Sequence, residues 1–184
     1  MKRDVIWGTK MALVVIDPQR KFSLSVPDWE DRMVNAVKGM NAMSDVFRKN
    51  GCPVLFIHFD GSSHTGYEGD DADAWLPGLN VEDKDIVVHK QHMNCFKETV
   101  LEEKLRELGI DCVLFAGMLT EYCVMTTYFA AAERGFYPFM AADSTICYDP
   151  KGNEAAGIIC NVVDTGVVDR FLRGDQPPLD LAGM

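Results

Sequence analysis

The 184-residue sequence lacks several signatures that mark particular classes of protein. Its six cysteines form no CxxC pair and no zinc-type spacing, which argues against a structural zinc site. Neither GxGxxG nor GxxxxGK followed by Ser or Thr occurs, which argues against dinucleotide and nucleotide enzymes. No apolar run reaches the length of a membrane span, and there is no internal repeat. We therefore expect one domain over residues 1–184 and no membrane partner.

Positive charge is also scarce. The chain has 18 Lys and Arg against 28 Asp and Glu, a net charge of −10 and a pI of about 4.8. Nothing basic clusters along the chain, so we expect no nucleic-acid partner.

The apolar run from Trp7 to Ile16 is short and ends on Asp17, which is not typical of a signal peptide. Several cysteines lie in apolar segments, as reduced core cysteines do, and we expect a cytoplasmic location.

Apolar runs and amphipathic segments alternate along the chain. Short apolar runs without strict alternation are typical of strands that are covered on both faces. The segments between them have apolar residues at spacings of three and four, which is typical of helices. This order predicts an α/β fold: a three-layer α/β/α sandwich with a mostly parallel sheet of about six strands. The predicted strands are 11–16, 54–59, 86–88, 113–116, 136–142 and 167–168. The predicted helices are 30–49, 97–108, one that follows the N-cap Thr120 and ends at Gly135, and 153–163.

Three side chains able to take part in catalysis follow predicted strands: Asp17, Lys90 and Cys123. Right-handed crossovers place the carboxyl ends of parallel strands on one edge of a sheet, so we expect these side chains to face one cleft. An acid, a cation and a thiol at one cleft predict a nucleophilic site. For Asp17 the alternative is a turn residue before Pro18.

Cys123 lies where strand 113–116 passes into the following helix, with Thr120 as the predicted N-cap. A helix N-terminus carries partial positive charge and free N–H groups, which stabilise a thiolate, so we expect a lowered thiol pKa. The same N–H groups could hold an oxyanion. The alternative is that Cys123 is one more small apolar core residue.

Three segments, taken together, resemble those of the isochorismatase-like cysteine hydrolases, and the resemblance runs over nearly the whole chain. ALVVIDPQRKF resembles the opening strand of that family, KQHMNCFKETVLEEKLRELGID its lysine segment, and LFAGMLTEYCVMTTYFAAAERGF its nucleophile segment. The resemblance implies that Asp17 is the catalytic acid, Lys90 the catalytic lysine and Cys123 the nucleophile.

The resemblance also implies details of the pocket. The family has a cis peptide four residues before the nucleophile, which maps onto Met118–Leu119. The backbone N–H groups of Leu119 and Cys123 would then form the oxyanion hole. Phe22, Leu119 and Tyr122 would contact the substrate.

The reaction implied is cleavage of a C–N bond in a small amide, carbamoyl or ureido compound, through a thioester and without a cofactor. One alternative is vinyl-ether hydrolysis of the isochorismatase type, which needs an acid but no nucleophile. A second is a catalytically silent binding member of the fold. A third is a thiol redox protein, for which Cys95 or Cys147 would have to approach Cys123. We expect a small-molecule partner and a homo-oligomer, a dimer or higher.

A metal site is not expected from the sequence. The nicotinamidase branch carries Asp-x-His after its second strand, and the matching stretch here is Asp60-Gly61-Ser62. The spacing of His58, Asp60 and His64 is irregular and offers no evident fourth ligand. The sequence therefore predicts a solvated acidic loop over 60–77 and no metal ion.

Overall fold

The structure, a computed structural model, describes residues 9–23, 28–62, 67 and 69–175. Six strands form one sheet in the order β3-β2-β1-β4-β5-β6, and every pair is parallel. The α/β prediction is confirmed. The strands are β1 (Met11–Ile16), β2 (Val54–Phe59), β3 (Ile86–Lys90), β4 (Cys112–Met118), β5 (Tyr137–Ile146) and β6 (Val162–Val163).

Helices cover both faces of the sheet, as a parallel sheet requires. Those on one face pack into the same apolar cluster as Leu13 and Val15, and those on the other face pack with Ala12 and Val14. The first group is α1 (Trp29–Lys49) and α5 (Thr165–Leu172), and the second is α2 (Leu101–Glu107), α3 (Met125–Glu133) and α4 (Lys151–Ile159). In the described part of the chain, no helix is long and apolar enough to cross a membrane.

The two central strands carry the functional edge of the sheet. All residues of β1 and β4 are buried, which agrees with their unbroken apolar runs. They pair in register up to Ile16 and Gly117. Gly117 has φ 106°, and a Cβ there would lie 2.1 Å from the Ile16 carbonyl oxygen. Only glycine allows this close approach, which brings the chain after β4 against the end of β1.

The helix predicted at 97–108 is shorter than expected, since α2 begins at Leu101. Glu98 has φ 55°, a left-handed conformation that cannot continue a helix. The Thr99 hydroxyl donates to the Cys95 carbonyl at 2.5 Å and accepts from the Leu101 N–H at 3.2 Å. These side chain–backbone bonds replace the first turn of the predicted helix.

The C-terminal third departs most from the predictions. The helix expected over 153–163 spans Lys151–Ile159 and buries only Ala156, while Ile158 is 87% exposed. The edge strand expected at 167–168 is wrong, because those residues lie in α5. The Asp164 carboxylate accepts from the Val167 N–H at 2.9 Å, and this N-cap starts a helix. The edge strand is instead Val162–Val163.

Candidate active site

The carboxyl ends of β1, β3 and β4 bring the three predicted catalytic side chains together. Asp17 follows β1 directly and Lys90 ends β3. The Lys90 Nζ lies 2.7 Å from Asp17 Oδ2, and both side chains are buried. The Cys123 thiol is half-buried, and the Asp17 carboxylate and the Lys90 ammonium both act on its pKa. One carboxylate therefore interacts with both the ammonium and the thiol.

Burial and mutual attraction act against each other in this cluster. Burial raises the pKa of Asp17, and the Lys90 ammonium partly offsets it. For Lys90, burial opposes the charged form, but Cys95, Asp17 and Cys123 outweigh it and raise its pKa above the ordinary value. Lys90 is consequently a fixed cation at neutral pH. Its Nζ also donates to the Met93 carbonyl at 3.1 Å, which holds the ammonium in place.

The expected lowering of the Cys123 pKa is not what the structure gives. Burial and then the Asp17 carboxylate raise the pKa of this thiol to about 12, although Lys90 acts in the opposite direction. Cys123 lies in a single π-helical turn, Thr120–Val124, and α3 starts only at Met125. The thiol therefore does not lie in the first turn of α3, and it stays protonated beside the carboxylate that could take its proton.

The backbone before Cys123 has an unusual geometry. The Met118–Leu119 peptide bond is cis. The Leu119 carbonyl accepts from the N–H groups of Tyr122 and Val124, at 3.0 and 3.3 Å. Among the hydrogen bonds of the described residues, none comes from the Leu119 N–H. This donor is therefore available to a ligand oxygen.

Thr120 does not act as the predicted N-cap. Its hydroxyl donates instead to Asn153 Oδ1 at 2.8 Å. Asn153 also contacts Thr145, accepting from its hydroxyl and donating to its carbonyl, both at 3.4 Å. Asn153 thus joins α4 and β5 to the turn that carries the thiol. Sequence reasoning missed this role, because it depends on how α4 packs and no local pattern marks it.

Aromatic side chains flank the Asp17–Lys90 pair. The Phe22 and Phe59 rings are 5.6 Å apart, and the Lys90 Nζ lies 5.7 Å from the Phe59 ring centroid. Phe22 therefore packs against the ring that lies next to Lys90. Leu119 is nearly buried, whereas Tyr122 is 47% exposed and is open to solvent at the nucleophile turn.

The thiol redox alternative finds little support in the cysteines. All six are free. Cys95 is buried close to Lys90, and burial raises its pKa to about 11. A thiol with so high a pKa is a poor partner for disulfide exchange.

A second polar cluster lies at the same edge of the sheet. His58 and His89 are register partners in β2 and β3, and Asp60 follows β2. His58 Nδ1 and His89 Nδ1 lie 2.7 and 2.9 Å from Asp60 Oδ1. His64, the third member considered from the sequence, lies outside the described residues. Sequence reasoning overlooked His89, which is distant in the chain and comes close only through strand pairing.

Comparison with known families agrees with this fold. The family model described as the isochorismatase domain matches residues 11–159, which is most of the chain. The chain belongs to the isochorismatase family. As a member of that family it is a hydrolase, and amidohydrolases are among its relatives.

Three relatives illustrate the range of the isochorismatase family. Nicotinamidase 3 of Arabidopsis thaliana is 27% identical over 159 residues, which are 78% of this chain and 77% of the relative. N-carbamoylsarcosine amidase from Thermoplasma acidophilum has a TM-score of 0.72 at 23% identity and covers 85% of this chain and 97% of its own. The pyrazinamidase of Pyrococcus horikoshii in complex with zinc has a TM-score of 0.71 at 20% identity, and the match covers 84% of this chain and 99% of the pyrazinamidase. The two solved structures share the fold.

Proposed function

We propose that this protein is a cysteine-dependent amidohydrolase that cleaves a C–N bond of a small amide, carbamoyl or ureido compound through a thioester. The observation that carries the proposal is the buried pair of Asp17 and Lys90, 2.7 Å apart, with the half-buried Cys123 thiol close enough for both charges to act on its pKa. Vinyl-ether hydrolysis needs only the acid and gives no reason for a thiol beside it. The names of two relatives, a nicotinamidase and an N-carbamoylsarcosine amidase, support amide and carbamoyl substrates.

The first step forms the nucleophile. The Asp17 carboxylate takes the proton of the Cys123 thiol as the sulfur attacks the substrate carbonyl carbon. Lys90 stays charged and lowers the pKa of both neighbours, so it stabilises the negative charge whether that charge is on oxygen or on sulfur. The proton thus moves only when a carbonyl is present to accept the electrons of sulfur.

The second step collapses the tetrahedral intermediate. The Leu119 N–H makes no bond to the described residues and is free to donate to the oxyanion, and the Cys123 N–H is the proposed second donor. Asp17, now protonated, gives its proton to the leaving nitrogen. Ammonia or an amine departs, and the acyl group remains on sulfur as a thioester.

The third step restores the enzyme. Asp17 is again a carboxylate and takes a proton from water, which attacks the thioester carbonyl. The acid product leaves as the proton returns to the Cys123 sulfur. We place the substrate between Phe22 and Tyr122, with Phe22 packed on Phe59 and Tyr122 at the solvent side.

A substrate panel tests the proposal. Purified protein is incubated with primary amides, N-carbamoyl compounds and ureides, and ammonia release is measured beside the Cys123→Ala protein. Cys52→Ala is the matched control, since Cys52 is a half-buried free cysteine in the turn between α1 and β2. We expect hydrolysis of at least one compound by the wild type and by Cys52→Ala and none by Cys123→Ala. Equal hydrolysis by Cys123→Ala would favour acid-only chemistry by Asp17.

A further inference from the structure

The nucleophile turn, Thr120–Val124, has a rare backbone conformation. It is a single π-helical turn, in which the Leu119 carbonyl accepts from the Tyr122 N–H at 3.0 Å and from the Val124 N–H at 3.3 Å. Single π-turns are uncommon and occur frequently at functional sites. Contacts from outside the turn therefore help to fix the position of the Cys123 sulfur.

The Glu121 carboxylate makes such contacts. Its Oε1 accepts from the Tyr148 N–H at 2.6 Å and from the Asp149 N–H at 3.3 Å. Both N–H groups belong to the loop between β5 and α4, so one carboxylate oxygen holds that loop against the nucleophile turn. Its Oε2 is buried and has no hydrogen-bond partner among the described residues. The whole carboxylate thus faces protein, where a charged acceptor makes roughly twice as strong a bond as a neutral one.

The same loop leads back to the nucleophile turn through α4. Asp149 Oδ1 accepts from the Lys151 N–H at 2.9 Å, where α4 begins. Within the first turn of α4, Asn153 Oδ1 accepts from the Thr120 hydroxyl at 2.8 Å. Two adjacent residues of the nucleophile turn therefore hold this segment at both ends.

Close packing at Gly152 brings α4 against the nucleophile turn. A Cβ at this position would lie 2.9 Å from the Cys147 Cβ and 3.6 Å from Glu121 Oε1. The first distance is shorter than a carbon–carbon contact allows, so a larger residue would push α4 away. Arg32 Nη1, from α1, donates to the Cys147 carbonyl at 3.0 Å and ties the loop to α1. The loop that Glu121 holds is thus itself held by α1 and α4.

We propose that Glu121 is a positioning residue that keeps the Cys123 sulfur beside Asp17, a role that rests on the proposed amidohydrolase reaction. Glu121 precedes Cys123 by two residues, and side chains two apart on a helical turn do not face each other. The Cys123 thiol interacts with Asp17, whereas Glu121 reaches the loop between β5 and α4. Glu121 therefore acts through the backbone of the turn, which also presents the two proposed oxyanion donors.

The kinetics of two Glu121 variants test the proposal. Glu121→Ala removes both bonds to the loop, whereas Glu121→Gln keeps an oxygen that can accept them. We expect Glu121→Ala to lower kcat for amide hydrolysis by about tenfold with little change in KM, since the residue does not touch the substrate. Glu121→Gln should keep kcat within about threefold of the wild type, because a neutral acceptor makes weaker bonds of the same geometry.

Alkylation of Cys123 gives a second readout that needs no substrate. Loosening the turn moves the thiol away from the Asp17 charge and towards solvent, and both changes favour the thiolate. Iodoacetamide should therefore label Cys123 several-fold faster in Glu121→Ala than in the wild type at the same pH. The labelling rate of Glu121→Gln should be close to that of the wild type.

The matched control is Asp164→Ala. The Asp164 carboxylate also accepts a backbone N–H at the start of a helix, that of Val167 at 2.9 Å, but the helix is α5. This variant should lose stability in urea as Glu121→Ala does, and keep the wild-type kcat and labelling rate.

The proposal is overturned if Glu121→Ala keeps the wild-type kcat and labelling rate, or if Asp164→Ala changes both equally. Amide hydrolysis that persists in Cys123→Ala would refute the thioester reaction, and the labelling comparison would still decide whether Glu121 positions the thiol. The two failures are therefore distinguishable.

Discussion

Two clusters of ionisable side chains share one edge of the sheet and differ in their access to water. In the first, Asp17 and Lys90 are both buried and lie 2.7 Å apart, with the Cys123 thiol beside them. In the second, Asp60 contacts His58 and His89 at similar distances but is 38% exposed. Burial couples the charges of the first cluster, since none can change without affecting the others. Exposure leaves the second free to exchange protons or ions with solvent.

The largest expected effect is on turnover at the buried cluster. Asp17→Asn removes the group that takes the thiol proton and returns it to the leaving nitrogen, and an amide can do neither. We expect kcat/KM for amide hydrolysis to fall by roughly 10³-fold or more. Asp60→Asn, the same change in the exposed cluster, should cost far less. Equal losses would show that the two carboxylates do not have different roles.

The next effect is on stability. Lys90→Met leaves the Asp17 charge buried and uncompensated, and such losses cost about 3–5 kcal/mol of the free energy of unfolding. Adding Asp17→Asn to Lys90→Met should recover part of it. His89→Ala removes an exposed contact of Asp60 and should cost roughly 1 kcal/mol or less. Urea unfolding at pH 7 of the wild type, Lys90→Met, Asp17→Asn, their double variant and His89→Ala measures these values. Additive losses in the double variant would contradict the coupling.

A third prediction concerns the pH dependence of the thiol. The Asp17 charge raises the pKa of Cys123 and Lys90 lowers it, so their removal should act in opposite directions. Iodoacetamide labelling of Cys123, mapped by peptide mass between pH 7 and 10, should be slow in the wild type. It should be faster in Asp17→Asn and slower still in Lys90→Met. The opposite order of labelling rates would contradict the assignment of Asp17 as the charge that raises the Cys123 pKa and Lys90 as the charge that lowers it.

The smallest effect is expected at Asn153, which holds the Thr120 hydroxyl at 2.8 Å. Asn153→Ala should lower kcat about five- to tenfold with little change in KM, since about 1 kcal/mol is typical of one hydrogen bond. Asn41→Ala is the control, because Asn41 also links separate parts of the chain, donating from α1 to the Gly78 carbonyl and accepting from the Asn80 N–H, and forms no hydrogen bond with the turn of Cys123 in the described part of the chain. It should lose similar stability and keep its kcat. An equal loss of kcat in both variants would rule out a positioning role.

Sequence patterns predicted the central fold well because the two middle strands, β1 and β4, are buried throughout. The run in β1 is unbroken and apolar, so its length alone fixed the bounds of the strand. The position of Asp17 followed from β1, and that of Lys90 from the short apolar run of β3. The C-terminal third was harder, because α4 buries one residue and β6 is only two residues long. Short elements leave little periodic signal. Residues 167–168 lie in a helix and not in a strand because the Asp164 side chain caps the start of α5.

The electrostatics of the site were not predictable from the sequence. The strand-to-helix position of Cys123 suggested a lowered thiol pKa, but that inference ignored burial and the adjacent Asp17 charge. The His58–Asp60–His89 cluster likewise depends on pairing between β2 and β3, which joins residues some 30 positions apart. Properties that depend on three-dimensional proximity, namely pKa values and ligand sets, require the structure.

The most direct test of the central claim is intact-protein mass spectrometry after a rapid acid quench during turnover. The claim is that Cys123 forms a thioester within the buried Asp17–Lys90 cluster. The account predicts a mass increase equal to the acyl part of the substrate, located on Cys123 by peptide mapping and absent from Cys123→Ala. Added hydroxylamine should divert the acyl group to a hydroxamate. An acyl group on another residue, or undiminished amide hydrolysis by Cys123→Ala, would contradict the account.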